Sequence, residues 1–564
     1  MDFTKVNRRL ALSSLAATCA LYYFPPTSHS GFVFTDWRFY AWFCVFWLAL
    51  FFAWAFYRII VWPKFLSPLR HLPEPTHDRS WWNGYAHRTF SGMNGAEAAQ
   101  WSKEIENEGV IRYLGIMNSE RLVFTTVEAC VEVLQRANDF VQPQLLANIA
   151  ARIIGPGLVL INGEEHKRQR RLLLPSFSMR QIRDLYPVFW GKAVEITEKF
   201  SNQVVKQTVG PDGFSAPFEI DYHAGHVALD VISKAALGVD FESISKPDSD
   251  LVWNYRRTFN PTRLWQAMAV MKFIIPPVIL ENIPIKQNKD ADRAAALLRG
   301  ACTASVREKQ ALMAKGELVT HDIISALIRD RKVVEEEELV THMMMMLGAG
   351  HETVSVGLTW CIYELCRRPA WQKALRDEVL AHVPSPDTQN EPSAYAMEPD
   401  KMPLMNAFIS ECLRYWPPIP SVLKNATKDT TVQGVFVPDT TKVIISIYGL
   451  NRDPKNWGPD AAEFRPERWY RKDETTGAVT YVPMGGALSK YSLMSFIHGP
   501  RDCIGRVFAR HEMMCVLSCW IGKFEFVLDD PSYMDEDNVE ISGGGFSSKP
   551  LHGIFVRARP VAGW

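Results

Sequence analysis

The 62 lysines and arginines are matched by 62 aspartates and glutamates, so the 564-residue chain has no net charge. That removes the electrostatic reason for a nucleic-acid partner and leaves only local charge effects. Missing too is any Cys-x-x-Cys pair among the ten cysteines, which excludes a zinc ribbon and a disulfide framework and suits a reducing compartment. Cys515 and Cys519 share one predicted helix but have no further partner at metal spacing, so they read as core residues. No glycine-rich dinucleotide or flavin motif occurs in its strand-to-helix setting, so any electrons the chain uses must come from another protein. Uninterrupted apolar runs are scarce past the first 62 residues. Segment 264–285 is apolar, but Lys272, Pro276, Pro277 and Pro284 break it, leaving a loop with a greasy face or an ordinary core segment. Apolar residues are nonetheless 47% of the chain, enough for a large buried core.

The one long apolar run is residues 40–62, where Arg58 is the only charge among many Trp, Phe and Leu. It is long enough to cross a hydrocarbon layer of about 30 Å. Residues 10–24 are apolar but shorter and include Ser13, Ser14 and Thr18, which leaves a second span, a signal peptide and an interfacial helix open. Lys5, Arg8 and Arg9 precede the first segment, and Arg58, Lys64 and Arg70 end the second. The positive-inside rule then puts the large C-terminal part in the cytoplasm with either one span or two. Pro63, Pro68, Pro73 and Pro75 predict a stiff spacer over 63–76 that cannot continue a helix. The expected division is therefore an anchor at 1–62, a proline-rich hinge at 63–76 and a globular domain at 77–564.

Within the globular part, residues 496–505 place Cys503 in a glycine-bounded turn before the proline-free run 506–524, whose Val507, Met514, Leu517, Trp520 and Ile521 have helical spacing. A cysteine at a helix start is exposed to free N–H groups and partial positive charge, conditions that favour a thiolate and make Cys503 a candidate metal ligand. Gly499 suits a tight turn, and Gly505 lies where a Cβ would collide with a flat ligand held by the sulfur. Arg501 could pair with an anionic edge of such a ligand. The longest helical pattern runs over 335–368, opening on acidic residues and ending on Arg367, Arg368 and Pro369. Its middle is apolar on nearly every side, as in a helix that passes through a core. At its centre stands Gly348-Ala349-Gly350-His351-Glu352-Thr353. Two interior glycines cost roughly 1 kcal/mol each relative to alanine, so something should compensate. A local opening in which Thr353 holds water or oxygen and Glu352 carries protons inward is one explanation, and a helix-packing groove is the other.

Further patterns complete the set. Residues 163–176 are unusually basic and include His166 and Arg170; such a run is either a solvated helix face or, through Lys167, Arg168 and Arg171, a landing patch for an acidic partner. Glu411 and Arg414 lie on one face of a predicted helix, and Arg465-Pro466-Glu467-Arg468-Trp469 follows later in the chain. Short β-rich runs at 110–114, 121–126 and 435–447 predict a small sheet beside the helices.

The loop Phe-x-x-Gly-x-Arg-x-Cys-x-Gly of residues 496–505 is similar, without a departure, to the cysteine-ligand loop of the haem-thiolate monooxygenases, the cytochrome P-450 family. The Gly350-to-Thr353 helix, Glu411-x-x-Arg414 and Pro466-Glu467-Arg468-Trp469 resemble that family's further motifs in its order. The resemblance spans most of the chain. It implies a mainly α fold with a small β region, and haem b bound through Cys503, with Phe496, Arg501 and Gly505 around it. Arg170 and His166 match the helix that binds haem propionates, although His166 stands where the family has tryptophan. Lys424 replaces a propionate-binding arginine, supplying charge but not a bidentate fork. Glu411, Arg414 and Arg468 are implied to be structural, locking the cysteine loop, and Glu352 and Thr353 to be catalytic. The family's thiolate favours O–O cleavage, so one atom of O2 enters a C–H or C=C bond and the other leaves as water.

The partners implied are a lipophilic small molecule, O2, and NADPH-cytochrome P-450 reductase with or without cytochrome b5. The place implied is the endoplasmic reticulum membrane, with the catalytic domain facing the cytoplasm. Segment 264–285 would dip into the membrane and line substrate access. The anchor and basic helix resemble fungal microsomal members that tailor secondary metabolites. A haem-thiolate isomerase or dehydratase acting on peroxides without a reductase is the rival enzyme, and a non-catalytic membrane haem sensor is the rival outside catalysis.

Overall fold

The computed structural model describes the chain apart from residues 1–2, 24–36, 89–91, 145–150, 153–154, 205–209, 260–267, 269–270, 272–276, 319–320, 330–333, 387–391, 543–546 and 563. Helices dominate, as the sequence predicts, and half of segment 264–285 lies outside the described residues. The axis of the fold is the helix Glu336–Arg367. Glu336, Glu337 and Glu338 fill its first turn and Arg367 its last, charges that suit the two ends of its dipole. Nearly all of its remaining length is buried against other helices, among them Ile220–Ile232, Lys286–Lys315 and the cysteine-loop helix Arg506–Lys523. Gly350 belongs to that packing. A Cβ there would stand 2.8 Å from Cδ1 of Ile232, so this glycine lets two helices approach closely, and the packing explanation holds at this position.

The main sheet has five strands in the order Val110–Leu114, Glu120–Phe124, Lys442–Ser446, Ser421–Ala426 and Phe140–Val141. Its pairs are antiparallel except for Arg121 to Val123, which run parallel to Lys442 to Ile444. The Ser421–Ala426 strand, which carries the buried Lys424, follows the end of the helix Pro403–Tyr415.

Near the N-terminus, the helix Trp37–Phe56 continues without a break through Tyr57–Leu66, so Pro63 lies inside it. This corrects the expectation that Pro63 stops the helix, which passes the proline in wider π-type turns. The continuous helix Trp37–Leu66 is long and apolar enough to cross a membrane, and Trp42, Leu48, Phe52 and Phe56 are exposed along it. The helix Phe3–Tyr23 packs beside it, with Ser14 and Thr18 donating to the carbonyls of Leu10 and Ser14 at 2.7 and 2.8 Å. Nor is 63–76 a detached spacer. Trp62 donates to Glu120 (3.1 Å), Asn118 to the Ile59 carbonyl (2.8 Å), and Arg112 to Glu74 (2.7 Å) and to the Pro63 carbonyl. The segment is fastened to the first β-hairpin.

Candidate active site

The cysteine loop is shaped by two backbone turns. The amide of Cys503 donates to the Phe496 carbonyl at 3.0 Å, and that of Asp502 to the Gly499 carbonyl at 3.1 Å. Gly499 has φ +85°, and a Cβ on it would lie 2.9 Å from the Leu134 carbonyl oxygen, so no other residue fits. Gly505 is different. Its φ is −89°, and a Cβ would meet nothing nearer than a Phe177 ring carbon at 4.0 Å. No neighbouring protein atom therefore requires a glycine at 505. Cys503 presents free surface although protein surrounds it on nearly every side, the combination expected of a side chain that faces an internal space. Burial pushes its thiol pKa up, more than the Gly505 amide lowers it.

Behind the loop, Glu411 and Arg414 of the helix Pro403–Tyr415 are both wholly buried. Arg414 grips both oxygens of Glu411 at 2.7 and 2.8 Å and donates to the carbonyls of Asn451, Ala461 and Glu463. Arg468 adds a bond to Glu411 at 3.2 Å, the Trp469 indole another at 2.8 Å, and the Arg465 amide another at 2.6 Å. Asn451 carries this order to the loop. Its amide donates to the Arg414 carbonyl (3.0 Å) and to Ser495 (2.9 Å), and its side-chain oxygen accepts from the Met494 amide (2.9 Å). Ser495 donates to the Leu413 carbonyl at 2.6 Å. Phe496, the next residue, packs on the main core and holds the Cys503 amide.

Basic residues gather beside the loop. Arg501 donates to the carbonyls of Ile161 (2.8 Å) and Val159 (3.1 Å). Lys424 is 2% exposed, and no carboxylate pairs with either cation among the described residues. Burial, helped by Arg170, lowers the Arg501 pKa to about 10; burial, helped by Arg501, lowers that of Lys424 to about 8. His166 is buried in the same field, and its pKa falls to about 4 through burial first and the charges of Arg501, Arg170 and Lys424 second. At neutral pH its imidazole carries no charge, so it can donate one hydrogen bond but adds nothing to the positive field. Arg170 reaches the loop itself. It donates to the Asp502 carbonyl at 2.7 Å and pairs with the Asp502 carboxylate, so it clamps the cysteine loop to the helix Gly163–Leu173.

In the central helix, Ala349 is exposed and Gly348, Gly350, Glu352 and Thr353 are half-buried, between stretches that are wholly buried. Such a window in a core helix opens onto an internal space. Thr353 donates to the Ala349 carbonyl at 2.9 Å, which leaves its oxygen free to accept. Burial raises the Glu352 pKa, and its Oε1 accepts from Ser547 at 2.6 Å.

These residues fit haem. Among the described residues no group of three His, Cys, Asp or Glu could hold a metal ion, whereas one inward-facing cysteine suits an iron whose other ligands come with its macrocycle. The open space at Gly505 suits a flat ring, and Arg501 and Lys424 suit its carboxylates. Asn451, Asp502 and Ser547 were missed by sequence reasoning. Only Ser547 carries a signal, since it follows the glycine-rich stretch Gly543-Gly544-Gly545-Phe546 in the sequence.

Fold and site together define a haem-thiolate protein. A profile of the cytochrome P-450 family matches residues 75–553. The chain is 39% identical over 514 residues to the cytochrome P-450 monooxygenase buaD of Petromyces alliaceus, covering 90% of this chain and 91% of that protein. It is 34% identical over 512 residues to the monooxygenase sphH of Aspergillus fumigatus (90% and 91% covered) and 34% over 540 residues to FUM15 of Gibberella moniliformis (89% and 90%). The chain belongs to the cytochrome P-450 family, and it is a haem-thiolate monooxygenase.

Proposed function

We propose that this monooxygenase is anchored in the endoplasmic reticulum membrane through residues 1–62, with 77–564 as its catalytic domain in the cytoplasm. It receives electrons from NADPH through a separate reductase, with cytochrome b5 as an optional second donor, and oxidises a lipophilic small molecule in fungal secondary metabolism. The observation that carries the reading is the inward-facing Cys503 with open room at Gly505 and unpaired cations beside it. The apolar helix Trp37–Leu66 supports the anchor, and the fungal monooxygenases among its relatives support the metabolic setting.

Cys503 would hold the iron, and Arg501 and Lys424 would face the haem carboxylates with His166 donating a neutral hydrogen bond. Phe496 and Gly505 would line the ring, while Arg170, Glu411, Arg414 and Arg468 keep the loop in place. When bound, the haem supplies the O2-activating chemistry, one oxygen atom going to substrate and the other to water. Glu352 takes up and releases protons, and the free lone pairs of Thr353 accept a hydrogen bond from water. Peroxide rearrangement needs no such proton supply, so this pair disfavours it.

The test is expression in microsomes with and without NADPH and reductase, beside Cys503→Ser. The wild type should show the thiolate-type Soret band of the reduced carbon monoxide complex and NADPH-dependent turnover, and Cys503→Ser should lose both. Turnover of peroxides without reductase would favour the isomerase, and persistence of the band in Cys503→Ser would move the ligand to another cysteine.

A further inference from the structure

Glu352 is held from outside its own helix. Ser547, its hydrogen-bond donor, lies 195 residues away on the arm of a C-terminal hairpin closed by the Ile541–Pro550 bridge and by Ser542 donating to the Lys549 carbonyl at 2.8 Å. The neighbouring Ser548 fastens that arm. Its amide and hydroxyl donate to the carbonyls of Pro418 (2.9 Å) and Pro417 (2.8 Å), at the end of the Glu411 helix. Its own carbonyl accepts from the Trp360 indole at 2.9 Å. Trp360 is wholly buried on the central helix, about two turns beyond Glu352, and stacks on Trp416 with ring centroids 4.0 Å apart. Ser547 is thus set against Glu352 by the helix that carries Glu352.

The consequence is directional. With Oε1 fixed by Ser547, the other carboxyl oxygen has no protein donor among the described residues and belongs to the half-buried window it shares with Thr353. The charged and titratable surroundings are few. Lys549 lies next to Ser547 on the hairpin and pairs with Asp221 at 3.4 Å, beside Glu219. Tyr255, from the helix Asp250–Phe259, donates to the Leu347 carbonyl at 2.9 Å and packs edge-on against His351. Burial raises the Glu352 pKa, and the Ser547 hydroxyl and the Lys549 charge pull it partly back.

We propose that Ser547 is a positioning residue for proton delivery: by fixing one oxygen of Glu352 it aims the other at Thr353, so that efficient use of reducing equivalents depends on the C-terminal hairpin. The proposal rests on the reading of Glu352 as the proton carrier. It follows that losing the Ser547 donor both releases the carboxyl from its orientation and lets its pKa rise further.

The full-length holoenzyme in membranes, with a purified NADPH-cytochrome P-450 reductase, NADPH and O2 and no substrate, provides the test. O2 leaves as peroxide after two electrons and two protons, or as two waters after four of each, so the peroxide-to-water ratio reports proton delivery without a known substrate. A second measurement follows the infrared carbonyl band of Glu352 against pH, assigned by its loss in Glu352→Gln. Ser547→Ala should raise the ratio roughly fivefold, the factor that one lost hydrogen bond gives. It should also move the band's midpoint upward, because the Ser547 hydrogen bond that lowers it is lost. Ser547→Val should behave like Ser547→Ala and the isosteric Ser547→Thr like wild type, which separates the hydroxyl from packing. If Glu352→Gln raises the ratio while Ser547→Ala and Ser547→Val leave ratio and midpoint unchanged, Ser547 has no positioning role. If Glu352→Gln itself changes nothing, the relay fails and the proposal with it.

Discussion

The Glu411 carboxylate, behind the cysteine loop, accepts from both nitrogens of the Arg414 fork, from Arg468, from the Trp469 indole and from the Arg465 amide. That of Glu352, in the window of the central helix, accepts from Ser547 alone among the described residues. Both belong to helices that run through the same core, yet their surroundings allow different chemistry. A carboxylate whose lone pairs are all engaged by cations and N–H groups cannot turn. One with a single neutral donor and a raised pKa can exchange a proton and still keep its place. The side of the site that carries Cys503 is therefore built for permanence, and the side that carries Thr353 suits the proton traffic proposed for it.

The largest effect should come from breaking the permanent side. Arg414→Ala takes the two-pronged cation partner from the wholly buried Glu411, a loss of about 3 to 5 kcal/mol. It also frees the carbonyls of Asn451, Ala461 and Glu463, and with Asn451 the support of Met494 and Ser495. The expected result is apoprotein or aggregate rather than a slow enzyme, read from the reduced carbon monoxide spectrum of purified protein. A folded, haem-replete Arg414→Ala protein would show that the contrast between the two sides is false.

A change on the other side should spare the haem. Thr353→Ala keeps helix propensity and removes one internal hydrogen bond to Ala349, so the spectrum should survive. NADPH consumption should continue while peroxide release rises and productive turnover drops, on the order of tenfold to a hundredfold. Glu352→Gln should show a milder form of the defect, because an amide can hydrogen-bond but cannot relay a proton as a carboxyl does. Peroxide per NADPH is the measurement, and an unchanged value in Thr353→Ala would leave Thr353 as a packing residue.

The parts of this contrast that sequence made legible are the local ones. Cys503 with Gly499 and Gly505, Glu411 with Arg414, and Glu352 with Thr353 each lie within one turn or one helix. Their spacing reports their geometry directly. The helix over 335–368 was legible for the same reason, since charge, length and an apolar middle all agree with Glu336–Arg367. What could not be read is pairing across the chain. Arg170 meets Asp502 across 332 residues and Ser547 meets Glu352 across 195, and no periodicity encodes either contact. Gly350 shows a subtler limit: a glycine in a helix signals a close approach, but only the fold shows that Ile232 is what approaches. Pro63 shows another, because the rule that proline ends helices assumes α geometry.

The smallest predicted effect tests whether permanence on the cysteine side comes from partners or from burial alone. Glu512 lies on the helix Arg506–Lys523 that follows Cys503, wholly buried, and neither of its carboxyl oxygens has a partner among the described residues. Burial pushes its pKa well above the usual carboxylate value. The sign for stability follows. Below the unfolded pKa, about 4.3, both states hold the proton and the group carries no ionisation penalty. As pH rises past that value the unfolded chain releases its proton while the folded protein keeps it, so stability falls until the raised folded pKa is reached. Glu512→Met keeps the volume and helix propensity and removes both the proton and the unpartnered oxygens. The variant should therefore melt a few degrees above wild type at pH 8, and the difference should shrink as the pH is lowered towards 4. A difference that does not depend on pH, or a variant that melts lower at pH 8, would mean that Glu512 has a stabilising partner and is a second Glu411.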